Sequence, residues 1–137
     1  MNGKITAVLC GLGFGSAFVP IWRDHPDVKT IGLYDSDQEK LRQAAEKYGI
    51  TRLYGSFEEV LRDEDVDAVH LVTPIPAHEE MTVRVLRSGK HCACTVPMSV
   101  TLEGIREIVR AQRESGKNYM LMETTLYTRQ YLSTRRR

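Results

Sequence analysis

The chain lacks any apolar run approaching the roughly 20 residues that a membrane-crossing helix needs. No secretory leader is expected either, because the first apolar run, residues 5–10, leads into glycines rather than a cleavage site. Net charge is nearly absent: 19 Lys and Arg against 18 Asp and Glu leave +1, so no bulk field draws the protein to nucleic acid or membrane. The one basic run, three arginines at 135–137, reads as a solvated tail. Cysteine is scarce. Cys10, Cys92 and Cys94 all lie in apolar runs, and an odd count without loop spacing gives no disulfide framework. Free thiols in a reducing compartment are expected, hence a cytoplasmic protein. Cys92 and Cys94 share one strand face, but no further ligands stand near them, so they read as small buried hydrophobes and no metal is expected. His25, His70 and His91 have no partner at triad or metal spacing and read as structural. Internal repeats and low-complexity linkers are also missing.

What is present is an ordinary globular composition, 42% hydrophobic and 27% charged over 137 residues, enough for one domain with its own core. Strand-like and helix-like segments alternate. Strands are expected over 4–10, 28–34, 68–72, 92–96 and 119–122, with at best a short one at 53–54. A helix over 16–23 must be weakened or kinked by Pro20. Asp37 caps a helix to Tyr48 that Gly49 stops, with Leu41, Ala44 and Ala45 on one face. Ser56 and Glu59 form a capping box, and residues 76–88 form a helix ending at Gly89. A last helix over 101–114, closed by Gly116, turns Leu102, Ile105, Ile108 and Val109 inward. Continuous apolar strands with short connections predict an α/β fold: a Rossmann-type doubly wound parallel sheet with helices on both faces.

The first strand runs into CGLGFGS, residues 10–16. Gly11 and Gly13 occupy the first two positions of G-x-G-x-x-G, and small Ser16 stands at the third. The first glycine permits the tight turn, the second lets backbone approach a pyrophosphate, and the third position allows close helix–strand packing. The helix start then points amide groups at phosphate. A second strand ends at Asp35, where an acid accepts both adenosine ribose hydroxyls; Asp-Ser-Asp at 35–37 is also good turn chemistry. An acid at 35 repels a 2′-phosphate and neither 36 nor 37 is arginine, which favours NAD over NADP. In open α/β sheets the ligand lies beyond the carboxyl ends of the strands, which places Thr73-Pro74, Thr95-Val96-Pro97 and Glu123-Thr124 around the cofactor. Glu123 either faces that site or pairs with an arginine.

These residues resemble the N-terminal NAD(P)-binding Rossmann domain of the Gfo/Idh/MocA oxidoreductase family, from about residue 5 to residue 132. The resemblance rests on CGLGFGS, on HPDV followed by IGLYDSD, and on YGI then YGSFEEVL. It continues through VDAVHLVTP with His78, SGKHCACTVPMSVT and GKNYMLMET. It implies that Gly11, Leu12, Gly13, Phe14 and Gly15 lie against the cofactor and that Asp35 and Ser36 meet its ribose. Thr73, Pro74 and His78 fall on the family's Thr-Pro-Asn-x-x-His, with Ile75 in place of the asparagine. His78 is either a cofactor-loop residue or a histidine capping the helix start. The family's Glu-Lys-Pro falls on Thr95, Val96 and Pro97. In typical members that lysine donates a proton as hydride moves; valine cannot, so the catalytic residue is unknown. The NAD-dependent glycosidase branch also lacks the lysine, but it carries Glu-Val-Pro, and an asparagine where this chain has Thr124.

Residues 1–124 are therefore expected to form the dinucleotide-binding domain, with 125–137 starting the crossover to a C-terminal substrate domain absent from this chain, or forming a tail. The implied function is the NAD-binding part of an oxidoreductase acting on a sugar or polyol. The alternative is a non-catalytic dinucleotide-binding or interaction module, and a further alternative is membership of the NAD-dependent glycosidase-like branch of the same family. Under either reading this half alone is expected to be inactive, because closure and a proton donor are lacking. A surface that normally meets a second domain favours self-association.

Overall fold

Strand segments whose side chains are apolar on both faces can only be satisfied inside a sheet covered on both sides, and they form one here. The computed structural model describes residues 3–127 and 129–134. The strands are β1 (Ile5–Cys10), β2 (Val28–Tyr34), β3 (Arg52–Leu53), β4 (Ala68–Leu71), β5 (His91–Thr95) and β6 (Tyr119–Met122). They lie in the order β3-β2-β1-β4-β5-β6, every pair parallel. The order reverses at β1, so the crevice beyond β1 and β4 is the topological switch point where such sheets bind ligands. The Rossmann-type doubly wound sheet expected from the sequence is present.

The helices are α1 (Val19–Arg23), α2 (Gln38–Tyr48), α3 (Phe57–Arg62), α4 (His78–Arg87), α5 (Leu102–Ser115) and α6 (Arg129–Thr134). Side chains alternate across β1. Leu9 joins Val19, Ile31, Leu33 and Leu41 on one face, while Val8 and Cys10 join Val60, Leu86 and Ile108 on the other. Each aliphatic side chain withdrawn completely from water in these two cores contributes about 1.5–3 kcal/mol. No helix among the described residues is long and apolar enough to cross a membrane.

Local chemistry sets the element ends. Asp37 accepts from the N–H groups of Glu39 and Lys40, and Thr101 accepts from that of Gly104. Gly49 and Gly116 close α2 and α5 at φ +68° and +65°, conformations in which a Cβ is strained. Pro20 does not kink a helix: a 3₁₀ turn over Gly15–Phe18 precedes α1, and Pro20 sits in its first turn, where no donor is needed. The capping box is displaced by one residue, since Ser56 accepts from Glu59 N–H but the Glu59 carboxylate reaches Gly55 N–H at 2.9 Å. Leu102 does not turn inward; it is 73% exposed, because the buried face of α5 is that of Gly104, Ile108 and Ala111, and Leu102 lies nearly opposite it around the helix. Residues 135–137, read from sequence as a solvated tail, lie outside the described residues.

Candidate functional site

Gly11 leaves β1 at φ +92°, and its N–H donates to the Tyr34 carbonyl at 3.0 Å. A Cβ there would collide with the Val72 carbonyl, so only glycine fits this turn. Gly13 is the opposite case: a Cβ would meet nothing within 4 Å, and the backbone lies open to whatever occupies the cleft. The close packing assigned from sequence to the third motif position belongs to Gly15, not Ser16. Gly15 is buried, with a Cβ position only 3.0 Å from Val72 Cβ, because the 3₁₀ turn begins one residue earlier than the motif suggests. Ser16 instead donates its hydroxyl to Gly13 O at 3.2 Å.

Asp35 immediately follows β2 and is 8% exposed. Its Oδ2 accepts from Leu12 N–H at 2.7 Å and its Oδ1 from Asp37 N–H at 2.8 Å. The carboxylate thus ties the glycine loop to the following turn, and turn former and site acid are one residue. Each oxygen keeps acceptor capacity for a further donor. One cavity of about 410 Å³ brings Gly11, Gly13, Asp35, Ser36, Thr73 and Pro74 together. Lys40 and Asp37 line it too. Lys40 was not singled out from the sequence, where nothing sets it apart from other helix lysines. Its Nζ is 3.5 Å from Asp37 Oδ2. The Lys40 N–H, followed by that of Glu39, holds the Asp37 carboxyl below its ordinary value.

A second cavity of about 230 Å³ collects Phe14, Thr73, His78, Thr95, Val96 and Thr124. Thr73 lines both cavities, and its Oγ1 is buried with no hydrogen-bond partner among the described residues. His78 is 1% exposed, with Nδ1 2.7 Å from the Pro97 carbonyl and Nε2 2.8 Å from the Thr73 carbonyl. It therefore ties the loop after β4 to the loop after β5 rather than capping α4. Next to it, Glu79 accepts from the Ser99 hydroxyl at 3.0 Å, so the first turn of α4 grips the segment after Val96 twice. Val96 is 39% exposed at the cavity wall, and Thr95 donates to Leu71 O at 3.3 Å. Leu12, Gly15 and Pro97, expected beside the cofactor, line neither of these two cavities. Glu123 accepts from Thr125 N–H at 2.8 Å and lines a separate apolar groove of about 730 Å³ with Phe18, Trp22, Met120 and Met122.

The three cysteines, His70 and His91 line neither cavity. Burial pushes the Cys10 and Cys92 thiols well up and that of Cys94 up to about 11, leaving all three protonated and inert at neutral pH. His70 Nδ1 accepts from Trp22 Nε1–H at 3.0 Å, and His91 Nδ1 accepts from Asn118 N–H at 3.0 Å. No group of three His, Cys, Asp or Glu among the described residues could hold a metal ion. Together, the open backbone at Gly13, the fixed acid at Asp35 and the unpaired Thr73 hydroxyl fit an extended dinucleotide lying across the switch point.

Comparison with known proteins agrees with that geometry. The model of the GFO_IDH_MocA oxidoreductase family, NAD-binding Rossmann fold, matches residues 5–123. D-apiose dehydrogenase of Paraburkholderia graminis is 31% identical over 88% of this chain and 32% of its own length. The 1,5-anhydro-D-fructose reductase of Ensifer adhaerens is 38% identical over 64% of this chain and 26% of its own length. The crystal structure of the WlbA dehydrogenase of Bordetella pertussis, in complex with NADH and UDP-GlcNAcA, superimposes with a TM-score of 0.83 at 25% identity, covering 93% of this chain and 37% of that one. The chain thus spans about a third of the length of the curated relatives it matches. It belongs to the Gfo/Idh/MocA oxidoreductase family, whose NAD-binding Rossmann domain it comprises.

Proposed function

We propose that this chain is the dinucleotide-holding part of an oxidoreductase that acts on a sugar or polyol, and that it takes NAD in preference to NADP. The observation that carries the reading is the cavity in which the fixed Asp35 carboxylate faces the open backbone of Gly13. Gly11, Gly13, Asp35, Ser36, Thr73 and Pro74 would hold the adenosine and pyrophosphate. Phe14, His78, Thr95, Val96 and Thr124 would line the nicotinamide side. When bound, the cofactor supplies hydride transfer. The names of the relatives, an apiose dehydrogenase and an anhydrofructose reductase, support the substrate class.

Residues 1–124 form the binding domain in this reading, and 125–137 begin the crossover. The chain by itself binds without turnover, since Val96 has no proton to give and both nitrogens of His78 face carbonyl oxygens. A non-catalytic dinucleotide-binding module would share these features, and Val96 is the observation that favours it. The exposed apolar groove beside β6 favours self-association of the isolated chain. The buried free thiols suit a reducing compartment, and we place the protein in the cytoplasm.

Replacing Asp35 tests the reading. Asp35→Ala should weaken NAD⁺ binding at least tenfold by calorimetry, and Asp35→Asn, which keeps one acceptor oxygen for the loop, should also weaken it while remaining folded by circular dichroism. Unchanged NAD⁺ affinity in both variants would remove Asp35 from the ribose site.

A further inference from the structure

Deepening the self-association read above from the groove, we propose that two copies of this chain join through the free edge of β6, antiparallel about a two-fold axis at Met120, into one continuous sheet. The two edges of the sheet differ. β3 is two residues long, and its Arg52 is tied to the Tyr54 hydroxyl at 2.7 Å and to the Asp63 carboxylate at 2.6 Å. β6 ends the strand order on the other side, and residues 118–122 carry neither a charge nor a proline to discourage a further strand. Met120 and Leu121 are 52% and 43% exposed there.

The backbone decides which residues can pair. The Asn118 carbonyl accepts from Cys92 N–H at 3.0 Å, so the backbone of Asn118, and by alternation that of Met120 and Met122, faces β5. The N–H and C=O groups of Tyr119 and Leu121 therefore face outward. Glu123 N–H bonds the Leu121 carbonyl at 3.1 Å, which ends the strand and leaves that oxygen a second lone pair. In an antiparallel partner the outward residues must stand opposite outward residues, so odd positions meet odd positions. The register centred on Met120 sets Tyr119 of each copy opposite Leu121 of the other, and Lys117 opposite Glu123. Lys117 and Glu123 stand three residues either side of Met120, so this segment run backwards is its own charge complement. That complementarity names a second copy as the occupant of the edge. Met120 meets its counterpart on the axis, and because it lines the apolar groove of about 730 Å³, the two grooves adjoin there. An apolar centre with charges at the rim is the composition of homodimer contacts.

Sedimentation velocity of the 137-residue chain over a range of concentrations tests the pairing, with each variant shown to be folded by circular dichroism. The wild type should pass reversibly from monomer to dimer as concentration rises. Leu121→Pro removes an outward N–H and no bond to β5, a change that an edge strand tolerates, and should leave the chain monomeric. Glu123→Lys should raise the dimer dissociation constant about tenfold, since like charges then stand opposite at both ends. Adding Lys117→Glu to that variant should restore the wild-type constant. A dimer that survives Leu121→Pro overturns the β6 pairing and leaves self-association through the groove standing. A Glu123→Lys chain that dimerises as the wild type does, or that Lys117→Glu fails to rescue, overturns the register centred on Met120. A wild type that stays monomeric at every concentration overturns the pairing and the self-association together.

Discussion

Burial couples His70 to pH although the residue is far from any reacting atom. It is 1% exposed in β4, packs against Phe18 and Trp22, and keeps Nδ1 as an acceptor for the indole N–H. Burial lowers its pKa from 6.5 to about 4. The unfolded chain therefore binds a proton between those values that the folded chain does not. By linkage, stability is lost as pH falls from about 6.5 toward about 4 and is regained as pH rises. The expected outcome is that the unfolding temperature of the wild type drops over this window more steeply than that of His70→Leu. Parallel pH curves for the two would mean that His70 does not stay neutral in the fold. Residues of this kind were only half legible. An apolar run around His70 marks it as buried and structural, but the Trp22 contact joins positions 48 residues apart and no local pattern announces it. Lys40 escaped for the opposite reason: it looks like any solvated helix lysine until the cavity beside Asp35 is seen.

At the scale of elements, the first turn of α4 governs the loop that carries Val96. His78 bonds the carbonyls of Thr73 and Pro97, and Glu79 accepts from Ser99, so α4 fixes both loops that border the second cavity. The helix is itself seated on α5. Ile108 is fully buried there beside Ala111, and truncating a buried isoleucine to alanine costs about 2–5 kcal/mol. Ile108→Ala should lower stability by about that amount in a denaturant titration without changing which dinucleotide binds. A loss below about 1 kcal/mol would show that α5 is not the support described. The helices were readable because their ends carry strong local signals: Asp37, Ser56 and Thr101 cap as their chemistry requires, and Gly49 and Gly116 stop α2 and α5. Leu102 was misread because the face of α5 that packs is that of Gly104, Ile108 and Ala111, two of them small residues that a pattern of large apolar side chains overlooks, and Leu102 lies nearly opposite Gly104 around the helix. The shift of close packing from Ser16 to Gly15 has a different origin. A motif gives spacing in sequence, whereas the 3₁₀ turn sets the rotation of each residue.

Across the whole molecule, parallel pairing forces the functional residues together. β1, β2, β4 and β5 deliver Gly11, Asp35, Thr73 and Thr95 to one end of the sheet, so residues scattered over most of the chain meet at the switch point between β1 and β4. The parallel sheet with helices on both faces followed from the alternation of apolar runs, while its strand order did not. The apolar groove between α1 and β6 did not, because its wall combines Phe18 and Trp22 with Met120 and Met122 from the far edge of the sheet. That groove adjoins the Val96 cavity through Met122 and Thr124, which line both. The account therefore separates binding, which this chain provides, from proton transfer, which its described residues do not supply at Val96. Calorimetric titration of the 137-residue chain with NAD⁺ and, in parallel, NADP⁺ tests that separation most directly. Saturable binding of NAD⁺, tighter than that of NADP⁺, is the expected result. A folded chain that binds neither would contradict the assignment of the Gly11–Asp35 cleft as a working dinucleotide site.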